Sequence, residues 1–189
     1  MKRRTRWLLA SGGGVAALVV AAPVVVATPG ASSSAAARPA FKVPFRCGQS
    51  WVGSNWDGHS PNHSIDWNHY DSGGTPDDRG RVVLASAPGK VVASYYSKSD
   101  GYGNTIVIGH GNGWQTRYAH LKSRGVARGD QVKQGQQIGK VGATSAIYDF
   151  TPHLHYEQIQ NGDVVVSVVQ GFRWSDYTKR SQESRNNCG

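Results

Sequence analysis

Short runs rich in β-branched and aromatic residues, separated by glycine-centred turns, fill most of the chain after residue 80. Runs of this length and composition, bounded by turns, read as extended strands. Arg81–Ala85 is one such run, followed by the turn Ala87-Pro88-Gly89 and by Lys90–Tyr96. Asp100-Gly101-Tyr102-Gly103 turns the chain into Thr105–Ile108, and Gly111-Asn112-Gly113 is a hairpin turn into Trp114–His120. Turns at Gly129-Asp130 and Gln134-Gly135 flank Gln131–Lys133. Ile138–Val141 and His153–Gln160 are further strands, and Asn161-Gly162 returns the chain through Val164–Val169. No stretch keeps apolar residues at helical spacing for three turns without a glycine or proline, so little or no helix is expected. The pattern predicts an all-β fold, an antiparallel sandwich or open barrel with long loops.

The N-terminal stretch is built differently. Lys2, Arg3, Arg4 and Arg6 precede an apolar run from Trp7 to Ala27, and small residues follow from Thr28 to Ala37. Basic start, apolar middle and small-residue exit are the parts of a secretory signal. A membrane-spanning helix needs about 20 consecutive apolar residues, whereas Val15–Ala27 is shorter and contains Pro23. Residues 1–37 are therefore expected to be a signal peptide with its exit, ending at Ala31 or Ala37. Residues 41–189 are expected to form one exported domain with no lasting membrane insertion.

Export changes the charge. The formal net charge is +9, but 17 basic residues and all 12 acidic ones follow residue 37, which leaves +5. A basic exported protein is attracted to polyanionic surfaces such as a bacterial wall. No cluster of lysines and arginines marks a phosphate track, so no nucleic-acid partner is expected. Arg128-Gly129-Asp130 has the composition of a turn. The two cysteines, Cys47 and Cys188, sit at the two ends of the exported part, and in an oxidising compartment they form one disulfide. Closing so long a loop is worth roughly 4–5 kcal/mol in the chain-entropy account. The tail Gly171–Gly189 then lies back along the domain.

The chemistry is carried by histidines. In Pro152-His153-Leu154-His155-Tyr156-Glu157, strand alternation puts His153, His155 and Glu157 on one face. One imidazole of such a pair can bind a metal while the other moves a proton. A second cluster runs from His59 to Trp67, with Asp66 set between Ile65 and Trp67. His59, Asp66 and His155 together would make a two-histidine, one-carboxylate site with a position left for water. In Tyr118-Ala119-His120-Leu121, a regular strand puts His120 on the face of Tyr118, where it could donate a proton to an oxyanion. Glu157 is either an outer partner orienting a ligand histidine or a solvated or salt-bridged carboxylate. His110 is structural or lines the cleft, and His69 caps or faces solvent. Trp51, Trp56, Trp67, Tyr102 and Trp114 line a groove or pack in the core.

These pieces, with Ala87-Pro88-Gly89-Lys90-Val91, Gly101-Tyr102-Gly103-Asn104 and the segment from Gly129-Asp130 to Gly139, resemble the lysostaphin and LytM-type zinc endopeptidases, which include the β-lytic metallopeptidases. The match covers roughly residues 45–165. The resemblance implies a peptidase acting on peptidoglycan stems or cross-bridges, with one Zn2+ per chain. It implies Asp66 and His155 as ligands and His153 as general base. It implies that His120 assists water activation or stabilises the tetrahedral intermediate. The usual first ligand lies four residues before the aspartate, which is Asn62 here. His59 is taken as that ligand in a longer loop, with His63 as the alternative. The chain is expected to act as a monomer on peptidoglycan peptides. Two other readings stay open: a non-catalytic relative that binds wall peptides or activates another hydrolase, and a secreted protease for glycine-rich proteins.

Overall fold

The computed structural model describes residues 37–56 and 59–189, so the leader expected over 1–37 lies, up to Ala36, outside the described residues. The first strands are β1 (Ser50–Ser54), β2 (Ile65–Asn68), β3 (Val82–Leu84), β4 (Gly89–Tyr96) and β5 (Asn104–Gly109). They are followed by β6 (Trp114–Ala119), β7 (Ser123–Arg124), β8 (Gln131–Val132), β9 (Gln137–Lys140) and β10 (Leu154–Gln160). The last four are β11 (Asp163–Val165), β12 (Ser167–Val169), β13 (Phe172–Trp174) and β14 (Lys179–Glu183). The described residues contain no helix, and no helix among them is long and apolar enough to cross a membrane. The fold is all-β and open, as the short strands between glycine turns predicted.

The main sheet runs β14-β1-β2-β10-β6-β5-β4-β8, every pair antiparallel, with β11 beside β10. A three-stranded sheet, β3-β9-β7, and the β12-β13 hairpin complete it. Cross-strand partners share a face, so the register assigns each side of the main sheet. Trp67 lies opposite Gly53 and Leu154, Tyr156 opposite Ile65 and Tyr118, and Tyr118 opposite Ile106. Their side chains make the core face and are buried with Val83 and Ile138 of the smaller sheet and Trp174 of the hairpin. Gly53 leaves a notch in this face: a Cβ there would stand 2.4 Å from the Trp174 ring and 3.0 Å from that of Trp67.

The opposite face of the central strands carries Ser54, Asp66, His155, Ala119, Glu157 and Arg117. The packing that buries Ile65 and Trp67 therefore holds Asp66 up on the other side. The core fixes the backbone, and the chemistry sits on its reverse.

His120 departs from the expected alternation. β6 ends at Ala119, and His120 adopts φ 57°. That left-handed residue breaks the period of two. Tyr118 faces the core, while the His120 ring lies 5.6 Å from that of His155, on the other side of the sheet.

The C-terminal tail lies back along the domain. β14 pairs along the whole of β1, Asn186 Nδ2 donates to the Val43 carbonyl at 3.1 Å, and Cys47 and Cys188 are disulfide-bonded with Cα atoms 5.1 Å apart.

Candidate active site

Antiparallel pairing of β2 with β10 sets Asp66 directly opposite His155, with His155 Nδ1 3.2 Å from Asp66 Oδ1. The loop before β2 brings in His59, whose Nε2 lies 2.7 Å from Asp66 Oδ2. One ligand atom from each of the three lies within 4.8 Å of the others. His63 is turned away with φ 71°, its Nδ1 3.0 Å from Asp176 Oδ1. Of the two histidines the sequence offered, the fold puts His59 in the cluster.

The hydrogen bonds behind the cluster decide which atoms face it. Ser64 Oγ donates to the Pro61 carbonyl and accepts from His59 Nδ1 at 2.7 Å, so the His59 proton sits on Nδ1. His155 Nε2 donates to Glu157 Oε1 at 3.0 Å. Neutral rings held this way aim the lone pairs of His59 Nε2 and His155 Nδ1 at the two oxygens of Asp66. Lone pairs this close repel unless a proton or a cation lies between them. Two imidazole nitrogens and one carboxylate form a donor set that fits a zinc ion with a position left for water. Without a metal, a proton relieves the same crowding. Burial opposes that proton, but Asp66 and Glu157 raise His155 to about 9. Burial likewise works against ionised Asp66, yet its bonds to His155 and His59 hold it well below the usual carboxylate range.

His153 and His120 stand beside the cluster, their rings 4.8 Å apart. His153 Nε2 is 3.6 Å from Asp66 Oδ1. Each ring gives its Nδ1 proton to a backbone carbonyl, His153 to Thr151 at 2.8 Å and His120 to Thr144 at 3.0 Å. Each neutral ring therefore keeps its Nε2 as a proton acceptor. Burial, then the charges of His155 and His153, push His120 down to about 4, so it is neutral near pH 7. A neutral His120 anchored through Nδ1 is left with an acceptor at Nε2.

A cleft of about 690 Å³ opens over these five side chains. Trp56 and Tyr177 stand exposed on its rim, with Tyr148 and Phe150 also in its lining. Phe150 lies 4.5 Å from the His120 ring. Of the aromatics left open by the sequence, Trp51 and Trp67 are core and Trp114 is buried with Phe41. Tyr102 packs 5.5 Å from His155, and Trp56 lines the cleft.

The other histidines lie elsewhere. His110 donates from Nδ1 to the Pro88 carbonyl and is held from Nε2 by Thr116, a structural role. His69 does not face solvent: it is half-buried against Trp51 and bonded to Asp77, which also binds Arg81. Sequence reasoning missed Ser64, the Thr144 and Thr151 carbonyls, Phe150 and Tyr177. None of these carries a local signal, because each matters only through what the fold brings beside it.

Residues 74–167 match the family model for Peptidase family M23, a span that includes His120, His153 and His155 but begins after His59 and Asp66. The DD-carboxypeptidase/endopeptidase Mpg of Neisseria meningitidis serogroup B is 44% identical over 90 residues, 48% of this chain and 20% of that protein. Peptidoglycan DD-endopeptidase ShyC of Vibrio cholerae serotype O1 is 42% identical over 83 residues, 44% of this chain and 18% of that protein. The matched part is thus about one fifth of the length of these relatives. Among solved structures, the antimicrobial peptidase lysostaphin from Staphylococcus simulans shares the fold with a TM-score of 0.51 at 28% identity, over 66% of this chain and 48% of that one.

Proposed function

Since the chain belongs to peptidase family M23, we propose that it is a secreted zinc endopeptidase that hydrolyses peptide bonds of bacterial peptidoglycan. The observation that carries this reading is the meeting of His59, Asp66 and His155 in one cleft with two base-ready imidazoles, His153 and His120. His59 Nε2, Asp66 and His155 Nδ1 would hold one Zn2+ per chain. Zinc bound there would polarise the scissile carbonyl, stabilise its oxyanion and lower the pKa of a bound water to about 7.

The protein's own groups supply the rest. His153 Nε2 accepts a proton from the attacking water while Thr151 holds the ring through Nδ1. The same nitrogen then gives that proton to the departing amine, which balances the hydrolysis. His120 Nε2 accepts the water's second hydrogen bond and orients it. The aromatic rim at Trp56, Tyr148 and Tyr177 shields the reacting bond and positions the substrate chain.

The substrate reading draws on relatives named as a peptidoglycan DD-endopeptidase and a DD-carboxypeptidase/endopeptidase. Residues 41–189 would act as one peptidase domain and as a monomer, exported by the leader over residues 1–37. The excess of basic residues beyond residue 37 would favour contact with an anionic wall. The complete set of five side chains argues against a non-catalytic relative.

The test is digestion of purified peptidoglycan by the zinc-loaded protein, with released fragments identified by mass spectrometry. New peptide ends with intact glycan linkages are the expected outcome. Glycan cleavage alone, or no release from any wall, would refute it. Cleavage of glycine-rich proteins without release from any wall would favour the protease reading instead.

A further inference from the structure

Glu157 is a carboxylate with no solvent exposure on the site face of β10. A charge there is costly to bury, and packing alone would be met by an apolar side chain of similar size. Its bonds indicate what it does. Glu157 Oε1 accepts from the Tyr102 hydroxyl at 2.6 Å, from His155 Nε2 at 3.0 Å and from Arg117 Nη1 at 3.3 Å. The Arg117 guanidinium lies over the Tyr102 ring, 4.3 Å from its centroid. Three partners from three separate parts of the chain thus fix one oxygen.

We propose that Tyr102 and Arg117 are positioning residues that clamp Glu157 so that it holds His155 in the tautomer presenting Nδ1 to the metal. This rests on the zinc-site reading above and deepens it. If the proton moved to Nδ1, it would point into the cluster, and the bare Nε2 would face a carboxylate oxygen. Glu157 selects against that state only while its oxygen stays in place. Tyr102 and Arg117 keep it there, Tyr102 by a short hydrogen bond and Arg117 by charge and by stacking on the ring.

Tyr102 also reaches the second imidazole pair. Its backbone carbonyl accepts from the His120 N–H at 2.9 Å. The turn that supplies it is flanked by Gly101 at φ 85° and Gly103 at φ 61°. At Gly103 a Cβ would also stand 2.1 Å from the Thr144 carbonyl oxygen. That carbonyl is the one His120 bonds through Nδ1. A single turn therefore sets the ligand His155 through the Tyr102 side chain and His120 through its backbone.

Zinc affinity, measured by competition with a chelator, tests the clamp without reference to activity. Tyr102→Phe removes one oxygen from a half-buried ring and should weaken zinc binding by ~10-fold, the lower end for loss of an outer partner of a ligand. Glu157→Leu should weaken it by ~100-fold, and Glu157→Gln, which keeps an acceptor oxygen, should recover most of that loss. Long-range proton–nitrogen spectra of the zinc-loaded protein should place the metal on His155 Nδ1 and a slowly exchanging proton on Nε2. That proton should exchange faster in Tyr102→Phe. Wild-type affinity in Tyr102→Phe, or metal on Nε2, would overturn the clamp and leave the zinc site standing. Failure of the unaltered protein to bind zinc would overturn both.

Discussion

His155 and Asp66 face each other across two paired strands, nitrogen to oxygen at 3.2 Å, although 89 residues separate them in the chain. The core on the reverse of the sheet sets this distance, because Tyr156 and Ile65 are packed there as cross-strand partners. The third member, His59, comes from a loop and depends on Ser64 for its orientation. Replacing His59 or His155 by Ala should remove bound zinc, while His63→Ala should leave one zinc per chain. Elemental analysis of the purified variants checks this. Loss of zinc in the His63 variant with retention in the His59 variant would reverse the assignment.

His153 is separated from the ligands by role. Its Nδ1 is committed to Thr151 and its Nε2 opens into the cleft. His153→Ala should keep zinc and lower the rate of fragment release from peptidoglycan by about 10²–10⁴-fold, the range for loss of a general base. Turnover within a few-fold of the unaltered protein would show that another group takes the proton.

His110 gives the fold a pH dependence outside the site. Burial lowers its pKa, against the pull of the Pro88 carbonyl. Below about pH 6.5, its ordinary value, the unfolded chain then binds more protons at this position than the folded one. Its contribution to stability is complete above that pH and is lost as pH falls through the folded value. The melting temperature should fall between pH 7 and pH 5, and it should fall less in His110→Gln. Equal slopes in the two proteins would contradict the assignment.

Gly53→Ala tests the packing beneath the site. The added Cβ meets the rigid rings of Trp174 and Trp67, and overpacking of this kind costs about 1–3 kcal/mol. Urea unfolding should register the loss. An unchanged midpoint would mean that the indoles shift without strain.

Much of this was legible in the residues, and the limits have physical causes. Short apolar-rich runs between turns marked the strands from Arg81 to Gln160 apart from the two-residue β7, and Asp66 stood out as the polar position between two core residues, as Ile65 and Trp67 are. β14 gave no signal because Lys179–Glu183 is an edge strand with only polar residues. The face of His120 was misjudged because a histidine at φ 57° cannot be told from one in a strand by composition. The resemblance to a longer-loop motif favours His59 over His63, with His63 as the alternative. Ser64 and Asp176 separate them, one binding each ring, and Asp176 lies 113 residues from His63. The clamp of Tyr102 on Glu157 joins positions 55 apart and is invisible to any local pattern.

One zinc ion held by His59, Asp66 and His155 underlies the proposed activity. Diffraction at the zinc absorption edge from crystals of the zinc-loaded protein would locate that ion. One strong anomalous peak is predicted, within bonding distance of His59 Nε2, an Asp66 oxygen and His155 Nδ1. A peak at other residues, or none at full zinc occupancy in solution, would contradict this assignment.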